Sequence, residues 1–246
     1  MRNRQVVAVL AVVIGLVAAF VVIANLVGED SPSVASTAPS TSSTTTATTP
    51  AAPAPGCTPA PKVPGTTAQL DAPDAAQIKA VEGKSVEATL TTNCGDLVLT
   101  LDGANAPTTV ASFAQLARNG YWTDAPCSRL VMSGIFILQC GDPTGTQQGD
   151  PGYGFGLENA PADGKFPRGS VAMARRNGDP NSNGGQFFLV VQDTVLPTTD
   201  GGYSLFGTVT SGMDIVDRIA AGGNGTDGVT PKLPISFLSV TTQTKD

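Results

Sequence analysis

The chain has 246 residues, a formal net charge of -6 at pH 7 and no histidine. An acidic balance without any cluster of basic residues argues against nucleic acid as a partner. The absence of histidine excludes histidine-based catalytic triads, histidine metal sites and the most common general base. No other residue pattern calls for a metal or a cofactor, and we expect none.

The first predicted element is an apolar run over residues 6–27, in which Asn25 is the one polar side chain. As a helix with a rise of about 1.5 Å per residue it would be about 33 Å long, enough to cross a bilayer core of roughly 30 Å. Two arginines precede the run and two acidic residues follow it. The positive-inside rule therefore predicts a single-pass cell-membrane anchor with residues 1–5 in the cytoplasm and the rest outside. The alternative is a cleaved signal peptide, whose apolar region is usually shorter, at about 7–15 residues.

Residues 28–83 are predicted to form an extracytoplasmic linker. Serine, threonine, alanine and proline dominate residues 30–66, and such a segment buries too little apolar surface to offset its ordering entropy. Residues 67–83 either form a short helix or continue the linker. Residues 84–246 are long enough to form one well-packed domain.

The remaining elements follow from hydrophobic periodicity and turn residues. A β-hairpin is predicted over 86–101, and a helix over 105–120 with Asn105 as its cap and Gly120 as its stop. Two strands at 128–132 and 135–140 precede a long loop over 141–169. The predicted elements after this loop are strands at 170–174, 186–191 and 203–209, a helix at 213–223 and a last strand at 235–242.

This order gives a mainly β fold class. Two helices are too few for a parallel sheet with a helix at each crossover, so the strands should be mainly antiparallel. Eight such strands can form a closed eight-stranded antiparallel barrel capped by the two helices. Because side chains just fill a barrel of this size, any functional site is expected on its outer wall or in its loops.

The sequence leaves the pairing of the cysteines open. There are four, all beyond the apolar run, where an oxidising compartment would permit disulfides: Cys57, Cys94, Cys127 and Cys140. Strand alternation places Cys127 on the face of Arg129 and Cys140 on the face away from Gln139. A 127–140 bridge would therefore require a bulge or twist, whereas a 57–94 bridge would staple the linker to the domain.

The strand at 186–191 combines two unlike faces. Alternation puts Phe187, Leu189 and Val191 on a wholly apolar face, which predicts the core side. Gln186 and Phe188 share the other face. Either Phe188 packs under a loop that Gln186 ties down, or the two side chains line a shallow groove that holds a ligand with both apolar and polar parts.

A second mixed segment favours the groove. Hairpin pairing of the strands at 128–132 and 135–140 brings Arg129 close to Gln139, with Ile137 on the same face as Gln139. An arginine and an amide inside aliphatic strands are costly unless they face a site, and neither strand contains a carboxylate to pair with the arginine. One guanidinium, two amides and apolar side chains suit a peptide-binding groove.

Four segments carry a further pattern: FILQCGDPTG, GDPGYGFGLEN, GSVAMARRNGDPNSNGGQFF and YSLFGTVTSGMDIVDRI. Together they resemble the cyclophilin-type peptidyl-prolyl isomerases over about residues 85–245. The resemblance implies the same eight-stranded antiparallel barrel with two helices that the element count predicts.

The resemblance also assigns site residues. It implies that Arg129 is the catalytic arginine, that Phe136, Ile137 and Phe188 form the proline pocket, and that Gln139 and Gln186 hold the peptide backbone. Ala174 and Arg175 begin the loop that presents backbone groups to the peptide. Several positions differ from the family pattern: Ile137 replaces methionine, Arg175 asparagine, Leu196 tryptophan, Tyr203 histidine and Ser128 histidine.

The implied activity is rotation about X-Pro bonds in exported or cell-envelope proteins, with Arg129 stabilising the twisted amide in an apolar groove. The implied partners are proline-containing peptides or unfolded exported proteins, and the domain is expected to be a monomer. The alternative function is a non-catalytic module on the same fold that binds proline peptides or serves as a scaffold.

Overall fold

The computed structural model describes residues 55–245. The helices are α1 (Ala75–Val81), α2 (Pro107–Arg118) and α3 (Met213–Ala221). The strands are β1 (Ser85–Thr92), β2 (Gly95–Asp102), β3 (Cys127–Ser133), β4 (Ile135–Cys140), β5 (Lys165–Phe166), β6 (Ser170–Met173), β7 (Phe187–Val190), β8 (Thr194–Val195), β9 (Leu205–Ser211) and β10 (Phe237–Lys245). A 3-10 turn covers Thr199–Gly201.

Eight of these strands form one antiparallel sheet in the order β10-β1-β2-β9-β6-β7-β4-β3, and β5 pairs with β8 beside it. The sheet is curled so far that its two ends approach each other. Pro126, just before β3, forms a bridge with Ser236, just before β10, and the Cys127 amide donates to the Ile235 carbonyl over 3.0 Å. The mainly β, antiparallel architecture is therefore as predicted.

The prediction of a closed barrel is wrong. Past the bridge, β3 meets a loop instead of β10, since the Leu130 amide donates to the Val229 carbonyl over 2.8 Å. Pro231 and Pro234 lie in the segment that leads into β10. Proline has no N–H to donate to a ladder, so this segment cannot continue the strand pairing, and the sheet remains an open half-barrel.

The inner face of the sheet holds the main core. Leu97, Leu99 and Leu101 on β2 are fully buried there, as the alternation in the sequence predicts. Aromatic rings fill the centre, where Phe113 of α2 packs on Trp122 with ring centroids 4.5 Å apart. Phe187 on β7 lies on this side as well, so the predicted core face of that strand is confirmed.

The N-terminus of α2 is capped differently from the prediction. Asn105 does not cap it; its side-chain amide instead donates to the Asp102 carboxylate over 2.6 Å. The cap comes from Glu158 in the long loop, which accepts hydrogen bonds from the amides of Thr108 at 3.0 Å and Thr109 at 2.7 Å. A carboxylate at this position also interacts favourably with the helix dipole.

Two disulfides join the four cysteines, Cys57 to Cys94 and Cys127 to Cys140. The second bridge becomes possible through an irregularity in the β3–β4 register. Cys127 lies opposite Cys140 and Arg129 lies opposite Gln139, so Ser128 is an extra residue on β3. This bulge is the irregularity that strand alternation demands for a 127–140 bridge.

The folded part of the chain begins earlier than the predicted boundary at residue 84. The Thr58 amide donates to the Asn93 carbonyl over 2.7 Å, and the Leu70 amide donates to the Pro151 carbonyl over 2.7 Å. α1 follows, with Asp74 and Gln77 forming a capping box at its N-terminus. Residues 57–81 therefore lie against the domain.

The predicted membrane span at residues 6–27 lies outside the described residues. Within residues 55–245, no helix combines the length and apolar character needed to cross a bilayer.

Candidate functional site

A groove with a volume of about 580 Å³ lies on the outer face of β3, β4 and β7. It brings together most of the side chains that the sequence singles out: Arg129, Ile137, Gln139, Ala174, Arg175, Gln186, Phe188, Leu196 and Tyr203. These residues come from widely separated parts of the chain. The sheet order places them side by side because β4 lies between β3 and β7.

Strand register aligns the polar side chains. Arg129 on β3 lies opposite Gln139 on β4, and Gln139 lies opposite Phe188 on β7. The Arg129 guanidinium donates from Nη1 to Oε1 of Gln139 over 3.1 Å. The Gln139 amide donates in turn to Oε1 of Gln186 over 2.9 Å, and Gln186 donates to the Gly149 carbonyl over 2.9 Å.

This chain of hydrogen bonds fixes the direction of each amide. Gln139 accepts on its oxygen and donates from its nitrogen, so the Arg129 guanidinium is held on one side while its remaining N–H groups stay available. Within residues 55–245, no carboxylate forms an ion pair with Arg129. The positive charge of Arg129 therefore remains uncompensated beside an apolar surface.

The floor of the groove is apolar. A cluster on the outer face of the sheet comprises Ile137, Phe166, Ala172, Phe188, Val190 and Leu196, all buried. The Phe188 ring meets Phe166 and Tyr203 edge-on, with centroids 6.3 Å and 5.8 Å apart. These contacts hold the ring in one orientation beneath Arg129 and Gln186.

Arg175 and Tyr203 form a rim over this floor. The Arg175 guanidinium lies 5.0 Å from the centre of the Tyr203 ring, within the range of a cation–π interaction. It also donates to the carbonyls of Gly202 at 2.7 Å and Thr199 at 3.0 Å. Arg175 therefore joins the end of β6 to the turn that carries Tyr203, a link that the sequence analysis did not predict.

Phe136 is the one predicted site residue that lies elsewhere. It is on the opposite face of β4 from Ile137 and Gln139, and its side chain packs against the main core. Ile135, which shares the face of Ile137, lines the groove in its place. This corrects the assignment of Phe136 to the proline pocket.

One wall of the groove, formed by residues 147–150 in the long loop, was not predicted from the sequence. Asp150 in this wall forms an ion pair of 3.0 Å with Arg176, which also lines the groove. Inside the loop, the buried Asp142 carboxylate accepts from the Thr144 amide at 2.8 Å and the Gly149 amide at 3.2 Å. The adjacent glutamines 147 and 148, in a glycine-rich stretch, are the sequence feature that could have indicated this wall.

Gly185 brings the backbone of the groove close to the core. A Cβ added to Gly185 would come within 2.6 Å of the Tyr121 ring, so a side chain does not fit there. Burial, with smaller contributions from the carboxylates of Asp142 and Asp150, raises the pKa of the Tyr121 phenol well above its usual range. The site thus rests on a neutral, tightly packed phenol.

Among the described residues, no cluster of acidic or cysteine side chains is arranged to bind a metal.

Comparison with known proteins connects this geometry to a family. The family model described as cyclophilin type peptidyl-prolyl cis-trans isomerase/CLD matches residues 87–241. A probable peptidyl-prolyl cis-trans isomerase B from Mycobacterium leprae is 40% identical over 171 residues, which cover 63% of this chain and 56% of the relative. The chain therefore spans about half the length of that relative. A peptidyl-prolyl cis-trans isomerase from Helicobacter pylori is 37% identical over 141 residues, covering 56% of this chain and 83% of the relative.

A similar fold occurs in a solved structure. The cyclophilin-type peptidyl-prolyl cis-trans isomerase of Cryptosporidium parvum, crystallised in the presence of the dipeptide Ala-Pro, matches with a TM-score of 0.54 and 28% identity. The match covers 65% of this chain and 99% of that protein.

Proposed function

This chain belongs to the family of cyclophilin-type peptidyl-prolyl cis-trans isomerases, and we propose on that basis that it accelerates rotation about X-Pro bonds in peptides bound to the groove. The observation that carries the proposal is the juxtaposition of the Arg129 guanidinium, which forms no ion pair within residues 55–245, with an apolar floor built around Phe188. Proline offers both an apolar ring for such a floor and an amide nitrogen for such a donor.

The reaction sets the demands on the site. An X-Pro bond prefers the trans form by only about 0.5–1 kcal/mol, yet amide resonance creates a rotational barrier of about 18–20 kcal/mol. No bond is broken and no proton is removed. A catalyst therefore needs to bind the twisted amide more tightly than either planar form.

Arg129 is the group that would provide this preference. In the twisted amide the prolyl nitrogen becomes pyramidal and more basic, so it can accept a hydrogen bond that the planar amide cannot. The Arg129 guanidinium is oriented by its 3.1 Å hydrogen bond to Gln139. A charged donor held in advance over an apolar surface stabilises developing charge without a further cost of reorientation.

The neighbouring side chains would hold the substrate. Phe188, Ile137 and Leu196 form the apolar surface on which the proline ring would pack, with Tyr203 and Arg175 at its rim. Gln186 is well suited to hydrogen-bond the peptide backbone, because its side-chain amide lines the groove and is held in place by hydrogen bonds to Gln139 and Gly149. Each of these residues lies on a strand or within two residues of a strand end, so the site is preorganised.

We further propose that the domain acts outside the cytoplasm, attached through the apolar run at residues 6–27, on exported or cell-envelope proteins. Two disulfides support an oxidising compartment. The length of the apolar run and the charges on either side of it support a membrane anchor with the domain outside.

The direct test uses the full-length protein, in detergent, with an Ala-Pro peptide whose cis and trans forms give separate NMR signals. We expect catalytic amounts of protein to accelerate exchange between the two signals. Binding without acceleration, seen as shifted protein signals and unchanged exchange, would instead identify a non-catalytic peptide-binding module.

A further inference from the structure

Residues 57–72, which precede the family match, form an extended segment that we call the strap. Both of its ends are attached to parts of the domain away from the groove. At the first end, Cys57 is bonded to Cys94, and the side-chain amide of Asn93 donates to the Thr58 carbonyl over 2.9 Å. At the other end, the side-chain amide of Gln115 on α2 donates to the Asp71 carbonyl over 2.6 Å.

Between these attachments the strap lies against the loop that forms the 147–150 wall of the groove. Three hydrogen bonds join them: Gly65 amide to Pro143 carbonyl at 3.0 Å, Gln69 side chain to Asp150 carbonyl at 3.2 Å, and Leu70 amide to Pro151 carbonyl at 2.7 Å. Two of the three are backbone bonds, so they depend on the path of the strap and not on its side chains.

The strap and the loop approach each other closely at two glycines of the loop. A Cβ on Gly149 would meet the Asp142 carboxylate of the same loop first and would also lie 2.8 Å from the Thr67 methyl carbon of the strap, and a Cβ on Gly152 would lie 2.8 Å from the Gln69 side-chain oxygen. A side chain at either position would therefore force its neighbours to move, and the positive φ of Gly152 independently favours glycine there. Strap and loop are packed as one unit.

The same loop residues reach into the groove. The Gly149 carbonyl accepts the hydrogen bond from Gln186, and the Asp150 carboxylate pairs with Arg176, which also lines the groove. Gly149 and Asp150 thus have the strap on one side and the groove on the other. Displacement of this wall would remove the acceptor that orients the Gln186 amide.

We infer that the strap is a positioning element of the substrate groove: it fixes the 147–150 wall and, through Gly149, the orientation of Gln186. The inference rests on the proposed function for the role of Gln186 in holding the peptide. Release of the strap acts directly on Gln186, which would bind the peptide, whereas Arg129 keeps its own hydrogen bond to Gln139. Release should therefore weaken binding and leave turnover close to that of the parent.

The test compares the full-length protein with two variants, the double substitution Cys57→Ala/Cys94→Ala and the single substitution Gln69→Ala. The first frees one end of the strap and the second removes one contact with the loop. Lys62→Ala is the matched control, since this strap side chain is exposed. For each protein we would measure KM and kcat on an Ala-Pro peptide, its Kd by NMR titration, and amide hydrogen exchange in residues 141–152.

Both variants should raise KM and Kd by about three- to tenfold, the effect of losing a hydrogen bond that orients a binding group, with kcat within about twofold of the parent. Exchange in residues 141–152 should become faster, and Lys62→Ala should change nothing. Unchanged KM and Kd in both variants, or a fall in kcat alone, would overturn the inference. If the parent binds the peptide without catalysing exchange, the proposed function fails, whereas the strap is still judged by Kd and hydrogen exchange.

Discussion

Arg129 owes its position to side chains that are themselves oriented. It donates to Gln139, which donates to Gln186, which donates to a backbone carbonyl at Gly149. A guanidinium that is free of carboxylate partners within residues 55–245, yet held by an amide, keeps its charge available for a ligand. At the scale of single residues, this chain of hydrogen bonds is the main feature that distinguishes the groove from an ordinary sheet surface.

Tyr121, beneath Gly185, provides a test of packing around the groove. Burial raises the pKa of this phenol and also that of Tyr153. The folded state therefore binds the phenolic proton more tightly than the unfolded state, whose tyrosines titrate near about pH 10. The resulting stabilisation is fully present below that pH and is lost as the pH rises above it.

We therefore expect Tyr121→Phe to reduce the loss of stability between about pH 8 and about pH 11. At the lower pH the variant should be at least as stable as the parent, because the Tyr121 hydroxyl has no hydrogen-bond partner among the described residues. Urea unfolding midpoints of both proteins at the two pH values measure this. An equal alkaline loss in both would show that another group is responsible.

Strand alternation, the simplest rule at the scale of residues, correctly predicts which face of β7 each of its side chains occupies. Alternation predicts Phe187 in the core and Phe188 on the outer face, hairpin pairing predicts Arg129 near Gln139, and the structure has all three. The same rule puts Phe136 on the face away from Gln139, where the structure has it. The assignment of Phe136 to the groove came from the family resemblance, which does not account for the local path of this hairpin.

At the scale of secondary-structure elements, local sequence signals predict where helices and strands begin and end. They do not predict how α2 is capped. The sequence predicts both long helices and the strand pairs within about three residues, because each depends on periodicity over neighbouring positions. The cap of α2 depends on Glu158, about 50 residues away in the long loop. No local sequence pattern links Glu158 to the N-terminus of α2. The sequence therefore gives no sign that Glu158 differs from any other loop carboxylate.

Removal of this cap should weaken the protein. Glu158→Ala leaves the Thr108 and Thr109 amides without their acceptor, and we expect a loss of about 1–2 kcal/mol in the free energy of unfolding. Urea denaturation measures the change. The matched control is Asp163→Ala in the same loop, whose carboxylate forms an exposed ion pair with Lys165 and should have no measurable effect. Equal effects of the two substitutions would contradict the capping role.

At the scale of the whole molecule, the sequence predicts the sheet but not its open side or its strap. Closure requires a partner for β3 along its full length, and the prolines at 231 and 234 prevent this. The strap is rich in small and polar residues and has no periodicity, so its composition is that of a linker. Its contacts with Asn93, Pro143 and Asp150 arise only once the domain has folded.

The molecule as a whole is acidic, yet its groove presents the uncompensated charge of Arg129. No histidine is present to supply acid–base chemistry. The proposed catalysis therefore depends on one positioned cation, Arg129, and an apolar surface.

The most direct measurement is NMR exchange of an Ala-Pro peptide with the full-length protein and its Arg129→Ala variant. We expect the variant to lose about 100- to 1000-fold in kcat, the effect of removing one preorganised donor, while its Kd for the peptide changes by less than about tenfold. Arg168→Ala, which removes an arginine paired with Asp217 at the surface, should retain the parent rate. An Arg129→Ala variant that exchanges the peptide as fast as the parent would contradict the assignment.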